Sequence, residues 1–205
     1  MTKKDDATTR DRILRAATGL LFKMTPEKIT SRALARSARV NVAAINYHFR
    51  SKEKLLDEAV EAATAMAFQK GMAVLLNPGE DPRKRLSSFL AGYAYGLMEF
   101  PGLTRTAFSG LFLHESPSNP YGKYTREMIA GIGKVIGEAL GAADEAVNRQ
   151  MALMVLGSVI FPFLLSNTVR EAGVVDYGSR DARNAFIEYI LDTIVKPTEK
   201  EAAHA

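Results

Sequence analysis

Between Thr30 and Leu56 the chain reads TSRALARSARVNVAAINYHFRSKEKLL. Asn41, Asn46, Tyr47 and His48 lie close together there, and the cations Arg32, Arg39 and Lys52 flank them. Amide, phenol, imidazole and ammonium groups at this density are donors for oxygen-rich partners. The elements that must hold them can be read from the same letters. Thr30 is an N-cap for a short helix over 31–38. Arg39-Val40 makes a tight turn, and Asn41 caps a second helix through His48. Leu34 and Ala35 are buried on the first helix, Ile45 and Phe49 on the second. Ala35 must be small for the second helix to cross close to it. The outward face is Ala43, Ala44, Asn46, Tyr47 and His48, small or polar and without negative charge. Two short helices around a tight turn form a helix-turn-helix, whose second helix can lie in a DNA major groove.

Charge distribution agrees. The net charge is +4, but residues 1–56 carry +8 and residues 57–205 carry −4. That asymmetry suggests a basic head for a polyanion. The 205 residues are 47% hydrophobic and 24% charged, the balance of a soluble globular chain long enough to bury its own core. Cys is absent, which excludes disulfides, thiolate catalysis, Fe–S clusters and Cys-type zinc sites. His48, His114 and His204 are too scattered for metal-ligand spacing. There is no Gly-x-Ser-x-Gly elbow, phosphate loop or His-Glu-x-x-His pair, so neither an enzyme nor a cofactor is expected. The opening MTKKDDATTRDR lacks a signal peptide's apolar stretch. The longest apolar run, Met151 to Leu165, falls short of the roughly 18 residues of a spanning helix. It reads as a buried core helix, and the expected location is cytoplasmic.

The whole chain reads as all-α, with about nine helices. Residues 1–8 look loose, and Thr8 with Asp11 resembles a capping box for a helix to about Phe22. Further helices are expected over 52–76, 82–100, 103–114, 121–140, 144–170 and from Ser179 to before Pro197. Asp81 with Pro82 starts the one at 82, and Asn77 to Pro82 is the clearest break. Gly133, Gly137 and Gly141 recur every four residues, which suits close approach of a neighbouring helix. With Gly131 they fit a dinucleotide loop poorly, since no strand precedes them.

The Thr30–Leu56 segment resembles the DNA-binding domain of the tetracycline-repressor (TetR) family. That pattern is a Thr, an Ala-x-x-Ala-Gly-Val turn, then Tyr-x-His-Phe-x-Ser-Lys-x-x-Leu. Thr30, Ala35, Ala38, Val40, His48, Phe49, Ser51, Lys52 and Leu55 match it, and Tyr47 stands one place from the usual Tyr. The resemblance covers about residues 9–60. It implies an N-terminal three-helix DNA-binding domain over 1–51. It also implies a C-terminal helical effector-binding and dimerisation domain over 52–205, with 52–76 as connector. By the same resemblance Thr30, Tyr47, His48 and Lys52 touch phosphates, while Asn41, Val42, Ala43, Ala44 and Asn46 face bases. Asn46 could then pair with adenine, and the small apolar residues could meet thymine methyls. Arg32 is either a phosphate contact or a solvated cation. Lys3, Lys4 and Arg10 form either a minor-groove arm or a frayed tail. Arg39 stands where the family has Gly. A left-handed Arg costs roughly 1–2 kcal/mol; either the turn is built differently, or the strain is tolerated and a contact to phosphate or guanine offsets part of it.

For the body, the resemblance implies a homodimer through the last two long helices and an effector pocket between the middle ones. Phe89, Tyr93, Phe108, Phe112 and Phe161 are the aromatic candidates, with Arg105, His114 and Tyr121 as polar contacts. The same aromatics also read as plain core. The expected function is a transcriptional regulator, a repressor released from a palindromic DNA operator by a small apolar or aromatic ligand. A helical protein-binding scaffold is the competing reading, and it leaves the acid-free face unexplained.

Overall fold

In a computed structural model of the chain, every regular element among the described residues is helical. The structure describes residues 3–100, 102–104, 108, 120–141 and 144–195. The helices are α1 (Lys3–Leu21), α2 (Ser31–Ala38), α3 (Val42–Phe49), α4 (Lys52–Leu75) and α5 (Pro82–Glu99). They continue as α6 (Pro120–Leu140), α7 (Glu145–Leu164), α8 (Ser166–Glu171) and α9 (Arg180–Ile194), with a 3-10 turn at Pro26–Lys28. Residues 102–104 and 108 are also helical, all but 102 within the helix expected over 103–114.

The chain forms two compact units: Met1–Phe68 with Glu99–Tyr121, and Gln69–Met98 with Gly122–Ala205. These divisions follow packing, and they differ from the 51/52 division that follows the motif. The chain passes from unit to unit inside α4, at the end of α5 and at the start of α6.

The first unit is built on helical periodicity. Ile13, Ala17 and Leu21 form one face of α1 and are buried with Ile29, Leu34, Ala35, Ile45, Phe49, Leu55 and Leu56. Leu103 completes that core, and Phe100 packs on it with its ring 4.8 Å from that of Phe22. Gly102 is required there: a Cβ on it would lie 3.0 Å from the Thr25 Cα. The helix α1 starts at Lys3, not after Thr8, so the Thr8–Asp11 pair lies inside a helix instead of capping one. No Gly or Pro stands between Lys3 and Thr8, and adding a turn to an existing helix costs little.

The second unit closes around Leu86, Leu90, Ile132, Ile136, Val155, Val159, Ile187 and Leu191. The expected helix over 144–170 is two helices. Asp144 caps α7 by accepting from Ala146 and Val147 N–H, but the helix ends at Leu164, and Leu165 breaks it with φ −116 and ψ 33. Pro162 lies inside α7, where it has no N–H to donate and its ring crowds the preceding turn. Tyr177, fully buried, donates its hydroxyl to the Val159 carbonyl in that turn at 2.6 Å.

α7 also departs from the buried helix expected. Asn148, Ala152, Val155, Leu156, Val159 and Pro162 face the core, whereas Leu153, Met154 and Phe161 are 59%, 57% and 60% exposed. It has 20 residues and an 18-residue window of mean hydropathy 1.4, long and apolar enough by length and composition to cross a membrane. Its inner stripe belongs to the second core, as a core helix requires.

Two buried arginines bind elements together. Arg183 donates to the carbonyls of Tyr177 and Gly178 at 2.6 and 3.1 Å. Arg85 pairs with Glu138, while its Nε has no partner among the described residues. Of the recurring glycines, Gly133 meets the expectation: a Cβ would sit 3.2 Å from the Asn148 carbonyl oxygen of α7. Gly141 does not, because it lies beyond the end of α6 with φ +64 and open space around it. Gly133→Leu is expected to lower the unfolding free energy by about 1–3 kcal/mol through overpacking, read in urea. Unchanged stability would mean that α7 can move away freely.

Candidate nucleic-acid interface

The helix pair α2–α3 forms as its caps dictate. The Thr30 hydroxyl accepts from Ala33 N–H at 3.1 Å, and the Asn41 Oδ1 from Ala44 N–H at 2.7 Å. Each cap leaves donors free: the Thr30 hydroxyl proton and the Asn41 amide hydrogens. Between the helices, Arg39 adopts φ 54 and ψ 49, the left-handed conformation of the two alternatives left open for this turn. Val40 N–H then reaches back to the Ala35 carbonyl at 2.9 Å and closes the turn.

Ile45 and Phe49 are buried, which rotates α3 so that Asn46 and Tyr47 point outward, Tyr47 74% exposed. Asn41, Val42 and Ala43 are exposed too, and Ala44 and His48 are half-buried. The His48 ring meets Tyr47 edge-on at 5.1 Å. One continuous surface thus carries Asn41, Val42, Ala43, Asn46 and Tyr47. Arg32 and Arg39 are exposed beside it, as is Arg36.

A second concave surface adjoins this face. Thr30, Ser31, Asn46, Arg50, Ser51 and Lys52 line it, with Glu27 and Glu53 among its further residues. It lies where α2 and α4 begin and α3 ends. Ser51 caps α4 by accepting from Lys54 N–H at 3.2 Å. The backbone N–H groups at both helix starts favour anions. Lys52 lies 3.7 Å from the Glu53 carboxylate, which its own backbone N–H holds below the usual carboxylate range. Sequence reasoning missed Arg50 here. It takes φ 67 and ψ −39 at the end of α3, and Arg50-Ser51-Lys52 read only as a turn.

Arg10 is not part of a loose arm. It pairs with Glu58 of α4 and covers the Phe49 ring, 4.8 Å from its centroid. The Lys3 and Lys4 side chains lie outside the described residues.

The described ligand candidates are divided between the two units: Phe89, Tyr93 and Phe161 in the second, Phe108 and Tyr121 in the first. Phe89 and Tyr93 stack at 6.2 Å in the second unit's core, and burial pushes the Tyr93 hydroxyl up to about 12. Phe108 and Tyr121 are half-buried in the first unit. Phe161 is on the exposed face of α7. Arg105, Phe112 and His114 lie outside the described residues.

Comparison with known proteins agrees with this geometry. Residues 13–59 match the family model described as bacterial regulatory proteins, tetR family. No curated protein matches the chain. Among solved structures, a transcriptional regulator from Pseudomonas aeruginosa PAO1 is 17% identical, with TM-score 0.63 over 91% of this chain and 89% of that one. A TetR-family regulator from Mesorhizobium loti MAFF303099 is 17% identical, with TM-score 0.61 over 94% and 98%. One from Legionella pneumophila is 20% identical, with TM-score 0.60 over 94% and 97%. At these identities the likeness is one of fold.

Arg39→Gly is expected to raise stability in urea by about 1 kcal/mol, because the strain of a left-handed Arg is removed. It should also weaken DNA binding and flatten its salt dependence. Unchanged binding with the same salt slope would remove Arg39 from the interface.

Proposed function

We propose that this chain, a TetR-family DNA-binding regulator by its residues 13–59, is a repressor released from a palindromic operator by a small apolar or aromatic ligand. One observation carries the DNA reading: the exposed, acid-free face of α3 flanked by cations and by two capped helix starts. In this reading Asn41, Val42, Ala43, Ala44 and Asn46 meet base edges, with Asn46 on adenine. Thr30, Arg32, Arg39, Tyr47, His48 and Lys52 hold phosphates and fix the register. The protein works in the cytoplasm, where its DNA is.

A palindrome needs two heads about one helical turn apart. The exposed Leu153, Met154, Phe161 and Leu164 of α7 and Tyr189 of α9 support pairing with a second copy, since apolar surface on this scale marks an interface. Release follows from α4, which runs unbroken from the first unit into the second. An effector held in the body, with Phe89 and Tyr93 among its contacts, shifts α4, and the two α3 helices no longer match successive grooves. A ligand that binds and leaves operator affinity unchanged would refute that coupling.

The reading is tested by selecting a random duplex pool on the purified protein and sequencing the bound fraction. An enriched palindrome is expected, lost in a Tyr47→Ala/Lys52→Ala double variant. A folded dimer that enriches nothing at low salt would sink the regulator reading. Sedimentation checks the assembly: a dimer at micromolar concentration, turned to monomer by Leu153→Glu with Phe161→Glu. A wild type that sediments as a monomer would end the dimer proposal.

A further inference from the structure

The roles assigned so far leave Arg50 without one. Its backbone, at φ 67 and ψ −39, lies where only glycine sits without cost. The turn does not need the side chain. Arg50 N–H donates to the Asn46 carbonyl at 2.9 Å, a bond glycine would make as well. The side chain returns nothing to the fold. Arg50 is exposed, and among the described residues no carboxylate pairs with it, whereas Arg10 has Glu58 and Lys52 has Glu53. A residue held in a strained conformation without an internal partner points to an external one.

The surroundings name its chemistry. Arg50 shares the open groove with Thr30, Asn46, Ser51 and Lys52. The Thr30 and Ser51 hydroxyls accept from helix N–H groups, so each has its own proton left to donate. Glu27 and Glu53 balance the two cations, so the groove is not a generic basic patch. What it can grip is one oxyanion, held by the planar fork of a guanidinium. Asn46 belongs both to this groove and to the outward face of α3. An anion here therefore lies directly beside bases read by α3.

We propose that Arg50 clamps one phosphate of the DNA backbone over this groove and so fixes the angle at which α3 enters the major groove. The proposal rests on the regulator reading and adds a residue to it. A phosphate contact positions the protein and carries no sequence information.

The test uses the full chain and the operator recovered by selection. Binding is titrated against KCl for wild type, Arg50→Gly, Arg50→Ala and Arg50→Lys. The Gly and Ala variants are expected to bind roughly tenfold more weakly on operator and on mismatched duplexes alike, with the salt slope shallower by about one per head. The Lys variant should keep the slope. Arg50→Gly should also unfold at higher urea than wild type, which separates lost binding from lost folding. If Arg50→Gly binds as wild type does, with the same slope, the clamp is overturned. A loss confined to one base pair overturns it as well, because the guanidinium would then be reading sequence. A wild type that binds no duplex overturns the regulator reading and the clamp together.

Discussion

The burial of Ile45 and Phe49 decides which way α3 faces. Four residues apart, they lie one above the other on the helix, and both are sealed in the first core. Burying two side chains of this size is worth about 1.5–3 kcal/mol each. That is more than any rotation of α3 could recover. Asn46 and Tyr47 are therefore outward because their neighbours are inward. Ala35 lets α3 cross close to α2, and Arg10 caps the Phe49 ring from α1 while Glu58 neutralises it. The left-handed Arg39 follows from the same constraint. A chain that must reverse within the turn between two packed helices passes through that conformation.

Local signals in the sequence were enough for the α2–α3 pair and its caps. Thr30, Asn41 and Ser179 announce their helices because a cap is a bond to a backbone N–H two or three residues on. The turn at Arg39 was legible because its neighbours fit a known pattern, but its left-handed backbone was not, since an Arg there is equally compatible with a different turn. Long-range facts were not legible. Nothing near Pro101-Gly102 says that Gly102 presses on Thr25, far away in the chain. Nothing in the composition of α7 says which apolar residues find partners inside the unit. Arg50 was hidden differently. Positive φ favours glycine so strongly that an arginine there gives no local sign of it. The ligand candidates were legible as aromatics and no further, since Phe89 and Tyr93 pack as core residues do.

The body is an interior left open on one side. α7 gives its inner stripe to the core and keeps Leu153, Met154 and Phe161 outside. The rest of that unit is fastened firmly. Arg83 holds Glu188 and Asp192 of α9 at 3.1 and 2.7 Å, and Arg183 ties α9 to the chain before it. Pro162 lies inside α7, and Tyr177 donates to the Val159 carbonyl in the turn before it.

The first unit draws its core from two stretches of chain, Met1–Phe68 and Glu99–Tyr121. Leu103 and Phe100 are as much part of it as Leu34. A gene cut after α3 or within α4 would therefore deliver the α2–α3 surface without the side chains that close the space beneath it. Exchanging heads between genes by a single crossover would leave Phe22 and Thr25 facing a stranger's residues in place of Phe100 and Gly102. If α3 reads DNA as proposed, new sequence preferences are more readily reached by changing its few exposed letters in place. The interleaved chain thus sets the route by which such a protein can change its target: point mutation on one face, not reassortment of modules.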